Sequence, residues 1–290
     1  MRIIVVTGIS GSGKSIALTA LEDAGYYCVD NLPPSLLNNL IQTLIKNNIQ
    51  HTAIAIDVRS TESFESFSQE INTLRTEGHD VQIIYLTAKT DALIARFSET
   101  RRRHPLSHIA TLNNDKNQTL TLEECITEER HRLSNIETSA HVIDTSGMNA
   151  NKLRAWITQF IELKHATLTL LFESFAYKFG VPLDADFVFD ARTLPNPFYD
   201  PNLRLLNGLD TPVIEFLTAE PDAQSFLSDI TQLLTRWLPT FKNNHRSYLT
   251  IAIGCTGGQH RSVYLTEQLA KHFIQTECVM VRHRELGIAH

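Results

Sequence analysis

The chain has 290 residues, 42% hydrophobic and 20% charged, with a formal net charge of −6 at pH 7. This is the composition of an ordinary globular protein with room for two domains at roughly 150 residues each, and its acidic balance does not favour nucleic acid as the obvious partner. No apolar run reaches the roughly 18 residues of a membrane span, Cys28, Cys125, Cys255 and Cys278 form no C-x-x-C pair, and the chain enters its first strand without a leader-like stretch, so a cytoplasmic protein is expected.

Ile3-Ile4-Val5-Val6 reads as a short buried strand, and the residues after Ser15 carry apolar side chains at helical spacing. Between them, Gly8-Ile9-Ser10-Gly11-Ser12-Gly13-Lys14-Ser15 matches G-x-x-x-x-G-K-[ST]. The glycines let backbone N–H groups turn toward phosphates, and a helix N-terminus adds a favourable dipole. Lys14 can then reach β/γ-phosphates and the Ser15 hydroxyl can ligate Mg²⁺. A nucleoside triphosphate, ATP or GTP, is the expected ligand.

The pattern then alternates. Strands are expected over residues 26–30, 52–57, 81–86 and 141–144, and helices over 35–46, 63–76, 90–100 and 150–163. Alternation of this kind argues a parallel sheet covered by helices. Asp57 ends an apolar strand, where a carboxylate can hold the water shell of phosphate-bound Mg²⁺. Asp30 holds a similar position, and the plainer reading of each is a turn cap. Arg59, beside Val58 and Ser60, is either a phosphate or base contact or a surface ion pair. Arg101-Arg102-Arg103-His104 follows a helix carrying Arg96 and reads either as a phosphate-clamping lid or as a solvated charge run. Arg130-His131-Arg132 leans toward the second reading.

After residue 163 the alternation restarts, giving expected domains over 1–163 and 164–290. Strands are expected at 168–172, 186–190, 248–254 and 279–284, and helices at 212–219, 222–238 and 263–273, with a proline-rich loop at 194–201. Cys255-Thr256-Gly257-Gly258-Gln259-His260-Arg261-Ser262 makes a second strand–glycine loop–helix anion site. Its C-x5-R-[ST] spacing also matches cysteine phosphatases, whose arginine grips the phosphate that a thiolate attacks. Phosphosugar binding, phosphatase catalysis and a structural turn all remain open. Arg192 and Asn196 can line the same pocket if the loop folds back.

GISGSGKS, DVRS at 57–60, ETRRRHPLS at 99–107, VIDTS at 142–146, DARTLPNP at 190–197 and IGCTGGQHRSVYLTEQLA at 253–270 together resemble the RapZ/YvcJ family over essentially the whole chain. The resemblance implies a kinase-like P-loop domain fused to a smaller α/β domain, with ATPase and GTPase activity. Gly8–Ser15 would then bind ATP, and Asp57, Val58, Arg59 and Ser60 would form a guanine-nucleotide motif. It also implies glucosamine-6-phosphate sensing through Thr256, Gly257, His260 and Arg261, binding of small regulatory RNA, delivery of RNA to an endoribonuclease, and a homo-oligomer. Two places depart from the enterobacterial pattern. Only Arg282-His283-Arg284, followed by Glu285, stands where those members carry a basic RNA-binding tail, and Phe198 replaces a histidine. The combined expectation is an NTP-hydrolysing regulator that senses a phosphorylated metabolite. The alternatives are a small-molecule kinase and a non-enzymatic RNA adapter.

Overall fold

The apolar run Ile3–Val6 becomes the middle of a central strand, covered on both faces, which is why no polar residue alternates with its aliphatic ones. In the computed structural model, which describes residues 1–56, 62–108, 120–137, 140–162, 168–243 and 248–286, the chain divides into two units, Met1–Glu162 and Leu163–His290.

The first unit runs β1 (Arg2–Gly8), α1 (Lys14–Asp23), β2 (Tyr27–Val29), α2 (Leu37–Lys46), β3 (His51–Ala55), α3 (Glu62–Thr76), β4 (Asp80–Thr87), α4 (Thr90–Thr100), α5 (Leu122–Glu137), β5 (His141–Asp144) and α6 (Ala150–Glu162). Its five strands pair in parallel in the order β2-β3-β1-β4-β5. Helices alternate with the strands, so the expected α/β fold with a parallel sheet following the glycine loop is what forms. Ile3 and Val5 of β1, Ile54 of β3 and Ile83 of β4 pack with Leu37, Ile41, Phe67 and Ile71 in one core. Parallel order directs the C-terminal ends of β1, β3 and β4 to the same edge, where α/β sheets place their ligands.

Helix α5 lies in a stretch to which the sequence reading assigned no element. It starts with a capping box. Thr121 Oγ1 accepts from Glu124 N at 3.3 Å, and Glu124 Oε2 accepts from Thr121 N at 2.7 Å.

The second unit contains β6 (Thr169–Ala176), β7 (Phe187–Asp190), α7 (Thr211–Ala219), α8 (Pro221–Asn243), β8 (Tyr248–Cys255), α9 (Arg261–Phe273) and β9 (Cys278–His283). The strands are parallel in the order β7-β8-β6-β9. Strand β6 is buried along its whole length. It carries Glu173, whose carboxylate accepts from Arg284 Nη1 at 2.9 Å, and Arg282 Nη1 reaches the buried Asp184 at 3.4 Å. The arginines at the end of β9 therefore turn onto interior acids. Among the described residues no helix is long and apolar enough to cross a membrane.

Candidate functional site

Gly8 ends β1 at the point where the chain must leave the sheet beside β4. Its φ is 132°, and a Cβ there would lie 2.0 Å from Leu86 O, so only glycine fits. Ile9 N then donates to the same Leu86 oxygen at 3.0 Å, and Ser12 N closes a turn onto Ile9 O at 3.1 Å. Gly13, at φ 112°, caps α1 without a side chain. The first intrahelical bond is Ala17 N to Gly13 O, so the N–H groups of Lys14, Ser15 and Ile16 have no intrahelical acceptor and face the loop. Lys14 Nζ lies across the mouth of the loop, donating to Gly8 O at 2.6 Å, and the Ser15 hydroxyl is exposed on the first helical turn. This arrangement presents backbone donors, one flexible cation and one hydroxyl to a single point, which suits a phosphate chain.

Three side chains brace the outside of the loop. Glu129 of α5 accepts from Ser10 N at 2.9 Å through Oε2 and from Ser10 Oγ at 2.7 Å through Oε1. Its Oε2 also meets His104 Nε2 at 3.1 Å. Arg96 of α4 donates from Nη1 to Gly11 O at 3.1 Å and to Thr145 Oγ1 at 3.0 Å. Thr145 Oγ1 in turn lies 2.9 Å from Ser12 O. Burial pushes the Glu129 carboxyl upward, but the His104 hydrogen bond, the Lys14 charge and the two Ser10 bonds outweigh it and hold the group below its ordinary range. Burial lowers the Arg96 guanidinium, against the opposing pull of Asp144 and Glu99.

Gly8, Ile9, Ser10, Gly11, Ser12, Gly13, Lys14 and Ser15 thus form one loop. Asp57, Val58, Arg59 and Ser60 lie outside the described residues. Asp30 is exposed just past β2. The arginine run is not a continuation of α4: Arg101 ends the helix at φ 52°, and all three arginines are exposed. The guanidinium on the loop is that of Arg96. Arg130 is structural, donating to Thr87 Oγ1 at 3.0 Å and to Ala88 O. Glu129 and the seat of His104 were missed in sequence. Thr121-Leu122-Glu123-Glu124, a capping-box pattern, was the signal that could have revealed the helix carrying Glu129.

In the second unit, β8 runs into the loop Thr256–His260 and then into α9. A cavity of about 500 Å³ opens there, walled by Arg192, Asn196, Tyr199, Asp222, Thr256 and Arg261 among others. Arg261 is only 4% exposed, yet its hydrogen bonds go to uncharged acceptors: Arg192 O at 3.0 Å, Leu194 O at 2.9 Å and Thr256 Oγ1 at 3.5 Å. Arg192 is held by Asp190 at 2.6 Å and stacks on Tyr177. Gly257 leaves open space, whereas Gly258, at φ 70°, packs against Glu285 and Ala176.

The remaining members of this motif face inward. His260 Nε2 donates to Leu203 O at 3.2 Å, and burial lowers its pKa, so the ring is a neutral strut. Cys255 is 2% exposed, with Sγ accepting from Gly258 N at 3.2 Å and lying 3.1 Å from Ser262 Oγ. Its sulfur is thus enclosed by the residues of its own loop.

Family models described as the RapZ-like N-terminal domain and the RapZ C-terminal domain match residues 1–165 and 168–287. A nucleotide-binding protein of Herminiimonas arsenicoxydans is 60% identical over 286 residues, covering 99% of this chain and 100% of that one. One from Janthinobacterium sp. (strain Marseille) has the same identity and coverage. One from Paraburkholderia phymatum is 55% identical over 288 residues, covering 99% of this chain and 97% of its own.

Proposed function

Because the chain belongs to the RapZ-like family, we propose that its N-terminal unit binds ATP or GTP with Mg²⁺ and hydrolyses it slowly. The braced Gly8–Ser15 loop, with Lys14 and the free helix N-terminus converging on one point, carries this reading. The relatives' description as nucleotide-binding proteins supports it.

The donors fit a magnesium complex. Mg²⁺ takes hard oxygen ligands and keeps several waters, so one or two protein oxygens suffice. The exposed Ser15 hydroxyl is one such oxygen and the Asp57 carboxylate would be the other. The ion would neutralise phosphate charge. Lys14 would leave Gly8 O for the β/γ-oxygens, and the N–H groups of Lys14 and Ser15 would hold the phosphate chain in line. No described side chain stands out as a water-orienting base, which is why turnover should be slow.

The test is phosphate release from Mg·ATP and Mg·GTP by wild type and Lys14→Ala. Release by the wild type that falls at least about 100-fold in the variant is expected, since the lysine acts directly on the transferring group. No release despite nucleotide binding would remove the hydrolase reading, and label appearing on an added acceptor would make the protein a kinase.

A second reading applies to the C-terminal unit, as a sensor of a phosphorylated sugar such as glucosamine-6-phosphate. The observation favouring it is Arg261, a buried cation on a cavity wall whose hydrogen-bond partners are all uncharged. Buried charges are ordinarily paired, and a phosphate would complete this one. RNA binding draws no support from Arg282 and Arg284, which are spent on Glu173 and Asp184.

A further inference from the structure

Glu129 is a buried carboxylate with both oxygens occupied. Oε1 takes the Ser10 hydroxyl, and Oε2 takes the Ser10 N–H and His104 Nε2. The histidine's tautomer follows from its contacts: Leu106 N donates to Nδ1 at 3.2 Å, so Nε2 carries the proton and gives it to Glu129. His104 is itself buried, tilted against Phe97 with ring centroids 5.3 Å apart. It directly follows Arg101-Arg102-Arg103, which project into solvent. A continuous chain of hydrogen bonds therefore links the phosphate loop to the end of the arginine run.

A neutral amide would offer one acceptor oxygen to the three donors Ser10 N, Ser10 Oγ and His104 Nε2, where the carboxylate offers two. An ion is costly to bury unless its charge is compensated, and here Lys14 compensates part of it. The carboxylate is too enclosed, and its lone pairs too fully engaged, to take a proton from an attacking water. Its role must be exerted through the groups it holds.

We propose that Glu129 is a positioning residue of the nucleotide site: its carboxylate fixes the Ser10 limb of the phosphate loop and, through His104, ties that limb to the segment following α4. This rests on the nucleotide reading above. The groups that grip ground-state phosphate, Lys14 and the α1 N–H donors, stay in place without Glu129. What is lost is the fixed orientation of the Ser10 limb of the loop, which matters as charge redistributes in the transition state.

The experiment is steady-state phosphate release from Mg·ATP by wild type, Glu129→Gln, His104→Ala and the double variant, with nucleotide affinity and thermal melting measured on each. Glu129→Gln is expected to lower kcat about tenfold or more while KM moves less than about threefold. His104→Ala should act similarly, and the double variant should be no worse than the poorer single one, as expected of residues that work together. His104→Gln, which keeps an N–H donor near the Nε2 position, should recover most of the His104→Ala loss.

Wild-type kcat in Glu129→Gln, multiplying losses in the double variant, or a kcat loss accounted for by a melt below the assay temperature would each overturn the positioning role while leaving the nucleotide reading intact. A wild type that neither binds nor turns over nucleotide would overturn both.

Discussion

Replacing Gly8 or Gly13 with alanine separates two costs that the phosphate loop imposes on its backbone. Both residues sit at positive φ, 132° and 112°. The conformational strain of a side chain there is thus similar for the two, about 1–2 kcal/mol. At Gly13 the new methyl would meet only Leu153 Cδ2, at 2.7 Å, and a leucine tip can turn away for about 1 kcal/mol more. At Gly8 it would lie 2.0 Å from Leu86 O and 2.6 Å from Leu86 N, both backbone atoms of the neighbouring strand. Relief there means parting the last rung between β1 and β4 and losing the Ile9 N bond to Leu86 O. Adding strain, a lost buried bond and an unseated Ile9 gives about 5 kcal/mol, comparable to the whole stability of a small domain.

The assay is urea and thermal unfolding followed by tryptophan fluorescence in a Trp237→Phe background. That leaves Trp156, buried against His141 and Phe160 in the N-terminal unit, as the reporter. At about 2–4 °C per kcal/mol for a unit of this size, Gly13→Ala should melt about 4–12 °C low. Gly8→Ala should melt at least about 10 °C low or show no cooperative transition. Midpoints within about 2 °C of each other would refute the reasoning, because the β1–β4 rung would then have absorbed a methyl without cost.

The Glu129 carboxyl titrates lower in the folded state than in the unfolded chain, so its contribution to stability is full above about pH 4.3 and disappears as pH falls through the depressed folded value. The difference in urea midpoint between wild type and Glu129→Gln should accordingly shrink as pH falls below the ordinary glutamate range; a difference that stays constant as acid is added would contradict it. In the C-terminal unit, Arg261→Ala should weaken calorimetric binding of a sugar phosphate about 10- to 100-fold, the worth of a charged hydrogen bond. Unphosphorylated sugar should bind both proteins alike, and equal phosphate affinity would remove Arg261 from the site.

What could be read from the sequence was whatever local chemistry dictates. The loop from Gly8 to Ser15 is legible because its glycines serve close approach and left-handed backbone within a few residues. Strands β1, β4 and β8 are legible because burial on both faces leaves near-continuous apolar runs. Helix α5 was hidden by its acidic and basic residues, which leave a narrow apolar stripe of Cys125, Ile126, Leu133 and Ile136. The meeting of Ser10, His104 and Glu129 has no local pattern at all. It arises from contacts between residues 119 and 25 positions apart, arithmetic that only the fold performs. Pro239 reads as a helix stop, yet α8 continues to Asn243, since Ala223, Ile230, Leu234 and Leu238 anchor it in the core and one missing N–H is tolerated. In the Cys255–Ser262 loop the motif gave no sign that Cys255 and His260 would turn inward.

The acid on β6 constrains the order in which the C-terminal unit can form. Glu173 is made early in that unit, while Arg284, its closest partner, follows 111 positions later. Until β9 docks, the central strand carries a carboxylate with no counter-charge in an apolar surrounding, so a collapsed intermediate lacking β9 is penalised. Docking of the last strand then completes the sheet and neutralises the acid in the same event.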